Sequence, residues 1–430
     1  MPAGCVARAV VVVEIFAFPA HANPAMNPIV YAIPVFFALM ALEWAVAHAR
    51  GQRAFRLGDT INSVGLGAIS QISGLYARLL GFGVYVAAYE ALALWQLPAD
   101  AWWVWALGLL FYDFMYYWHH RLGHEMGVLW AAHVVHHQSE DYNLGTALRQ
   151  TSSGFLLGWV FYLPLAVAGI PPLVFGAVAL IDLLYQYWIH TEQVGRLGWF
   201  DRVFASPSNH RVHHAVNDRY VDKNYGGILI LWDRMFGTFE DERADDKPVY
   251  GTRKPLHSFD PLWANLEVYA ALARMSWRTR NWADKLRVWI KPPGWQPPDL
   301  AQSEPHPPFQ LAALRKYDPP LSGPAAVYAG LLFLLLIAAG THVLALGGGA
   351  PLPGIPGGAY AAWVVLSLWA LGRWTESRAN SRWTLGALQA AGGAAAALAG
   401  APLVAFILGL AAAIVAVIQR GEPRTMAEAG

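Results

Sequence analysis

The sequence predicts an all-α, polytopic membrane helical bundle with a histidine-rich cap on its cytoplasmic side, and three observations predict it. The 430 residues are 56% hydrophobic and only 14% charged, with 20 tryptophans, too apolar for a solvated globule and too aromatic for a disordered chain. Apolar windows of the length that crosses a bilayer, about 17 to 25 residues, recur along the chain. Lysine and arginine gather on alternate loops only. Arg50, Arg53 and Arg56, the 119–152 and 190–324 segments, Arg373, Arg378 and Arg382, and Arg420 fall on one side, whereas the loops "LPAD", "GIPP", "GGGAPLPGIPG" and "GAP" hold neither residue. That is the positive-inside pattern, and it makes the charged side cytoplasmic.

Taken in order, residues 1–26 read as a signal-like or non-native extension: an arginine, an apolar run broken by Glu14, then small residues at Ala20 to Ala22, with Met26 as a rival start. Nine spans are expected, near 28–47, 62–96, 101–118, 153–169, 173–189, 325–346, 358–372, 383–399 and 403–418. The second is over-long, and several are short enough to be re-entrant. The stretch 190–324, rich in Arg, Asp, Pro and Trp, reads as a water-facing layer. Residues 27–320 form the expected catalytic domain with about five membrane helices, and 321–420 a set of C-terminal membrane helices whose small residues suit close helix packing.

A net charge of +1 without long basic tracts excludes a nucleic-acid partner. The lone cysteine, Cys5, excludes a disulfide framework, a thiolate-held cluster and a thiolate zinc site. Any metal must be held by nitrogen and oxygen.

Ten of the 15 histidines lie between residues 119 and 214. "WHHRLGHE" carries His119, His120 and His124; "HVVHH" carries His133, His136 and His137; "WIHTE" carries His190; "NHRVHH" carries His210, His213 and His214. Residues three and four apart share a helix face, so His120 with His124, and each H-x-x-H-H trio, converge. The topology returns all four groups to one membrane surface. Nine or ten imidazoles exceed one tetrahedral zinc but suit two six-coordinate ions; imidazole binds iron, zinc and copper alike, so ligand type does not choose among them. Polar groups are costly near lipid and tend to be functional there. The scattered His21, His48, His257, His306 and His342 read as interfacial or hydrogen-bonded residues.

The spacing H-x3-H, H-x2-H-H, H-x2-H-H resembles the membrane fatty acid hydroxylase and sterol desaturase superfamily. The wording of "DFMYYWHHRLGHE", "LWAAHVVHHQSEDYNLGTALRQ", "LLYQYWIHTE" and "SNHRVHHAVNDRYVDKNYGGILILWDRMFGTFE" is similar to its alkylglycerol monooxygenase group, over about residues 54–240. The resemblance implies a non-haem di-iron centre that uses O2, with His120, His124, His133, His136, His137, His210, His213 and His214 as ligands and His190 as the ninth. It implies a ligand, catalytic or pterin-binding role for Glu125, outer-sphere catalytic roles for Asp113 and Asn143, and cofactor-binding roles for Glu140 and Asp141. These four would accept the free N–H of a liganding imidazole. His119 departs from the group, where an aromatic residue is expected, and is not assigned. The implied reaction hydroxylates the ether-bearing methylene of an alkylglycerol with electrons from tetrahydrobiopterin, and the product collapses to a fatty aldehyde and glycerol. Tyr116, Tyr117, Trp118, Trp130 and Tyr142 are candidate walls of the lipid cleft.

Other readings share parts of the pattern. A lipid, fatty acid or sterol hydroxylase or desaturase with another substrate and a separate electron donor would keep the same ligands. A bis-histidine haem carrier would need isolated histidines on facing spans, and a metal transporter would need polar residues through the bilayer depth.

Overall fold

Asn27 caps the first helix by accepting the Ile29 amide at 3.1 Å, and Pro28 takes the first helical position, where a missing N–H costs nothing. The same device opens helices at Pro172, Pro207, Pro261, Pro298 and Pro402. This computed structural model describes residues 27–348 and 350–418, so the signal-like segment 1–26 and Arg420 lie outside the described residues.

The helices of seven residues or more are α1 (Pro28–Ala49), α2 (Leu57–Arg78), α3 (Val84–Leu92), α4 (Trp102–Glu125), α5 (Gly127–His137), α6 (Pro172–Trp188) and α7 (Pro207–His213), followed by α8 (Pro261–Arg278), α9 (Trp282–Ile290), α10 (Gly323–Gly347), α11 (Gly354–Thr375), α12 (Ser381–Leu398) and α13 (Pro402–Val417). Among the described residues there is no extended strand, only two isolated bridges, Phe204 with Leu229 and Ala215 with Tyr250. The all-helical membrane class is what the composition predicted.

Two cores organise the bundle. Ile61, Val64 and Ile72 of α2 pack with Leu332 and Leu336 of α10 and with Val364 and Leu368 of α11, so the C-terminal helices share a core with the helix that underlies the histidines. Tyr85, Val104, Tyr112, Ile170, Val174 and Val178 join α3, α4 and α6. There Gly108 lets α4 approach α6; a Cβ at this position would meet a Val174 methyl at 2.9 Å.

The span count differs from the expected nine. Three helices, α1, α10 and α11, are long and apolar enough to cross a membrane, and α2 with α3, bent by 48°, makes a fourth if taken as one span. The 153–169 window is no single helix: it breaks into 3-10 turns at Gly154–Leu156 and Gly158–Tyr162 and a short helix at Leu163–Val167. Glycines at 154 and 158 weaken helix propagation there. Helix α4 is long, but it carries Asp113 at its middle and His120, Arg121, His124 and Glu125 in its last turns. Hydropathy records burial from water, and a helix can be apolar because it is packed in protein.

Candidate metal centre

Four elements bring nine histidines together. The last turns of α4 present His120 and His124, α5 presents His133, His136 and His137, α7 and its cap present His210, His213 and His214, and His190 follows α6. They form two groups. His120, His124, His133, His137 and His213 make one, and His136, His190, His210 and His214 the other, with the ligating atoms of each group within 4.8 Å of one another. Each H-x-x-H-H trio is divided: residues four apart stay together, as His133 with His137 and His210 with His214, while His136 and His213 cross to the other group. The two trios thus interlock the two sites. His119 stays outside both, stacked on Phe161 at 4.8 Å.

The spacing within the groups suits ions. Nε2 of His133 lies 3.0 Å from Nε2 of both His120 and His137, and the His136–His190, His190–His210 and His210–His214 Nε2 pairs lie at 3.1, 3.0 and 3.2 Å. Adjacent nitrogens bound to one ion at about 2.1 Å would sit about 3 Å apart.

Proton positions decide the matter further. His136 Nδ1 lies 2.9 Å from the Arg149 carbonyl, and His190 Nδ1 lies 2.7 Å from the Gln186 carbonyl. A carbonyl only accepts, so both Nδ1 atoms carry the proton and both Nε2 atoms present lone pairs. Those lone pairs face each other at 3.1 Å, an arrangement that favours a cation between them. Burial pushes the His136 imidazole down to about 4, which keeps it neutral and able to ligate. In the other group the Nε2 atoms of His124 and His213 are buried and have no protein partner. The residues therefore fit two bound metal ions.

The outer partners are mostly backbone. The turn Asp222–Tyr225 supplies three: the Asp222 carboxylate to His124 Nδ1 (3.4 Å), the Lys223 carbonyl to His213 Nδ1 (3.0 Å) and the Tyr225 carbonyl to His120 Nδ1 (2.7 Å). Asp222 and Asn224 both adopt φ of 58°, the left-handed region that short polar residues tolerate. Asn224 locks the turn by donating to the Asn209 and Glu240 carbonyls. Arg149, fully buried, donates to the Val135 carbonyl and Asn62 at 2.6 Å each and to Gln138 at 3.2 Å, fixing the C-terminal turn of α5. Sequence reasoning missed this turn and Arg149. It also missed Glu43, an acid buried in the spanning helix α1 that accepts the Leu144 amide at 2.8 Å and the Thr191 hydroxyl. An acid in an apolar run was the available signal.

The acidic candidates lie elsewhere than expected. Asp113 accepts the Ile228 and Leu229 amides (2.7 and 3.1 Å) and the Trp232 indole (2.8 Å), so it holds the 226–232 loop rather than an imidazole. Asn143 caps the Leu144–Ala147 turn, accepting from Gly145 and Thr146 and donating to the Ala54 carbonyl. Glu125 pairs with Arg121 at 2.9 Å and belongs to neither histidine group. Asp141 binds Arg56 (3.0 Å) and Lys316 (2.7 Å), and Glu140 accepts the Tyr317 amide (2.5 Å). Nearness in sequence to a histidine box did not make Asp113, Asn143, Glu140 or Asp141 an imidazole partner, because their side chains are taken by backbone amides and cationic groups. Of the candidate aromatics, Trp130 lies 5.1 Å from His124, and Tyr142 stacks on His190 at 5.7 Å.

Two cavities bear on the site, one lined by two of the histidines and one separated from them by Tyr142. One, about 120 Å³, opens on His136 and His190 and runs between α1, α2, α6 and α10. The other, about 340 Å³, is lined by Glu140, Glu192, Tyr250 and Lys316 among others.

The fatty acid hydroxylase family matches residues 105–238, which contain all nine histidines. The chain is similar to the alkylglycerol monooxygenase of Homo sapiens, 42% identical over 276 residues (64% of this chain, 61% of that protein), and to that of Xenopus tropicalis, 39% identical over 311 residues (72% and 69%). A more distant relative is an ornithine lipid hydroxylase of Rhizobium tropici, 32% identical over 31% of this chain and 41% of that protein. No solved structure gives a significant match. The chain is an integral membrane protein that belongs to the alkylglycerol monooxygenase family.

Proposed function

We propose that this protein is an O2-dependent di-iron lipid monooxygenase that cleaves the ether bond of alkylglycerols, drawing electrons from tetrahydrobiopterin at the cytoplasmic membrane face. The observation that carries the reading is the apolar cavity that ends on His136 and His190. Ile33, Phe36, Val64, Leu183, Ile337 and Leu344 wall it with hydrocarbon, while Gln71 and Gln150 add polar groups to the lining. Such a pocket is complementary to a lipid whose reacting carbon lies next to its head group.

Irons bound by the two histidine groups would supply the activation of O2 that places one oxygen atom on a C–H bond. The chain's own residues do the rest. Phe36 and Tyr187 meet at 4.3 Å between ring centroids, and the Tyr187 hydroxyl donates to the Phe36 carbonyl at 2.8 Å, closing the wall between α1 and α6 against water. The alkyl chain lies between α1 and α10, which directs the ether-bearing methylene to His136 and His190. Hydroxylation there gives a hemiacetal that collapses to aldehyde and glycerol. Ile337→Trp is expected to lower kcat/KM for long-chain substrates by about tenfold and to spare short ones; a chain-length series in competition reads this directly.

The electron donor finds support in the second cavity. Tyr250 on its wall stacks on Tyr142 (4.8 Å, 17°), and Tyr142 stacks in turn on His190 (5.7 Å, 25°), an aromatic column from water to the metal site. A flat reduced pterin would stack on Tyr250 and give its N–H groups to Glu140 and Glu192. Tyr250→Ala is expected to raise KM for tetrahydrobiopterin about 3- to 10-fold, the loss of one stacking contact, with KM for the lipid unchanged.

The purified protein tests the reading as a whole. Aldehyde and glycerol should form from an alkylglycerol only when O2 and tetrahydrobiopterin are both present. Turnover of a fatty acid or sterol in place of the ether lipid, or turnover that depends on a protein donor, would overturn it.

A further inference from the structure

Helices α8 and α9 close the layer over the histidines, and their inner and outer faces differ sharply. Inward, Ala264 packs with Val134 and Val135, and Leu272 and Val288 pack with Ala131, so both helices buttress the helix that carries His133, His136 and His137. Gly127 at the start of that helix donates its amide to the Lys291 carbonyl at 2.9 Å. Outward, Leu262, Leu266 and Trp277 of α8 are 40, 55 and 85% exposed, and at 100° per residue they fall within one narrow arc. On α9, Trp282, Leu286 and Ile290, spaced i, i+4 and i+8, are 80, 73 and 56% exposed. A water-facing helix pair would not hold this stripe out to solvent.

Two further observations say what covers it. The first is depth. Asp260, the cap of α8, accepts from Arg373 in the last turn of the spanning helix α11 at 2.9 Å. Gly372 lies so close to the Phe259 carbonyl that a Cβ would stand 2.1 Å from its oxygen. Helix α8 therefore leaves the end of a span, at the level where hydrocarbon meets head groups. The second is charge. Between residues 274 and 291 the chain carries Arg274, Arg278, Arg280, Lys285, Arg287 and Lys291 against the single acid Asp284. Arg278 is paired with Glu304 and Arg287 with Asp284, whereas Arg274, Arg280 and Lys291 make no ion pair among the described residues.

We propose that α8 and α9 form an in-plane anchor seated in a leaflet rich in anionic lipid. The stripe of Leu262, Leu266, Trp277, Trp282, Leu286 and Ile290 enters the acyl region, and Arg274, Arg280 and Lys291 meet the lipid phosphates. Amphipathic helices with tryptophan on one side and cations at the edge bind bilayers in this manner. The anchor fixes the helix of His133, His136 and His137 against the membrane from which a lipid would enter. It stands independently of the substrate assigned above.

The test uses the full chain in lipid nanodiscs. After Cys5→Ser, a spin label is placed singly at Leu286→Cys, Trp277→Cys or, as a water-facing control, Asp241→Cys. Collision with a water-soluble nickel chelate and with O2 then reads depth. The labels at 277 and 286 should meet the chelate at least about fivefold less often than the control and O2 more often, as expected roughly 5–10 Å into the interface. Adding phosphatidylglycerol to phosphatidylcholine should deepen both labels, and Arg274→Gln/Arg280→Gln/Lys291→Gln should abolish that response. Chelate access equal to the control overturns the anchor, as does protection from both reagents, the mark of a protein partner. Equal depth in both lipid mixtures overturns the anionic preference.

Discussion

Replacing His136 with alanine is expected to abolish turnover, by more than about 100-fold, because loss of even an outer partner of a metal ligand costs 10- to 100-fold. The geometry makes this histidine the most telling single position. It is the member of the α5 trio that crosses to the four-histidine group, it lines the apolar cavity, and its Nε2 opposes that of His190 at 3.1 Å. With His136 gone, three imidazoles remain in that group while the five-histidine group stays whole. Iron content should therefore fall from two per chain toward one, and helix content should hold. Turnover at the wild-type rate would remove the cavity-facing group from the mechanism.

Arg149→Met is expected to be the most damaging change outside the ligands. The guanidinium is buried and satisfies the Val135 carbonyl, the Asn62 amide oxygen and the Gln138 amide oxygen, and burial lowers it only to about 10, so it stays charged at neutral pH. Methionine fills much of the space but leaves those acceptors unpaired. Each buried acceptor left unpaired in this way costs about 1–3 kcal/mol. The melting temperature in detergent or nanodiscs should drop, and iron should be lost with it, since the carbonyl of residue 149 also holds His136 Nδ1. Unchanged stability would mean that the helix C-terminus is fixed by other contacts.

The convergence of the histidines was largely legible because imidazole spacing survives folding: residues three and four apart on a helix must share a face. The division of each trio between two sites was not legible, since offsets of three and four both satisfy that rule and only the neighbouring helices choose between them. The turn at Asp222–Tyr225 was hidden because two of its three contacts are backbone carbonyls, which any sequence could supply. Asp113 and Asn143 were misplaced for a related reason: a buried acid or amide near a histidine box can serve a loop or a helix cap as readily as an imidazole. Hydropathy found the membrane class but overcounted spans, because α4 is apolar where it packs against α6 and the 153–169 window is apolar without being one helix.

Elemental analysis of the purified protein tests the central claim most directly. Two histidine groups that each hold an iron predict two irons per chain in the active protein, with about one lost in His190→Ala and about one in His124→Ala. A fully active preparation with zinc in place of iron, or with one iron or none, would contradict the account.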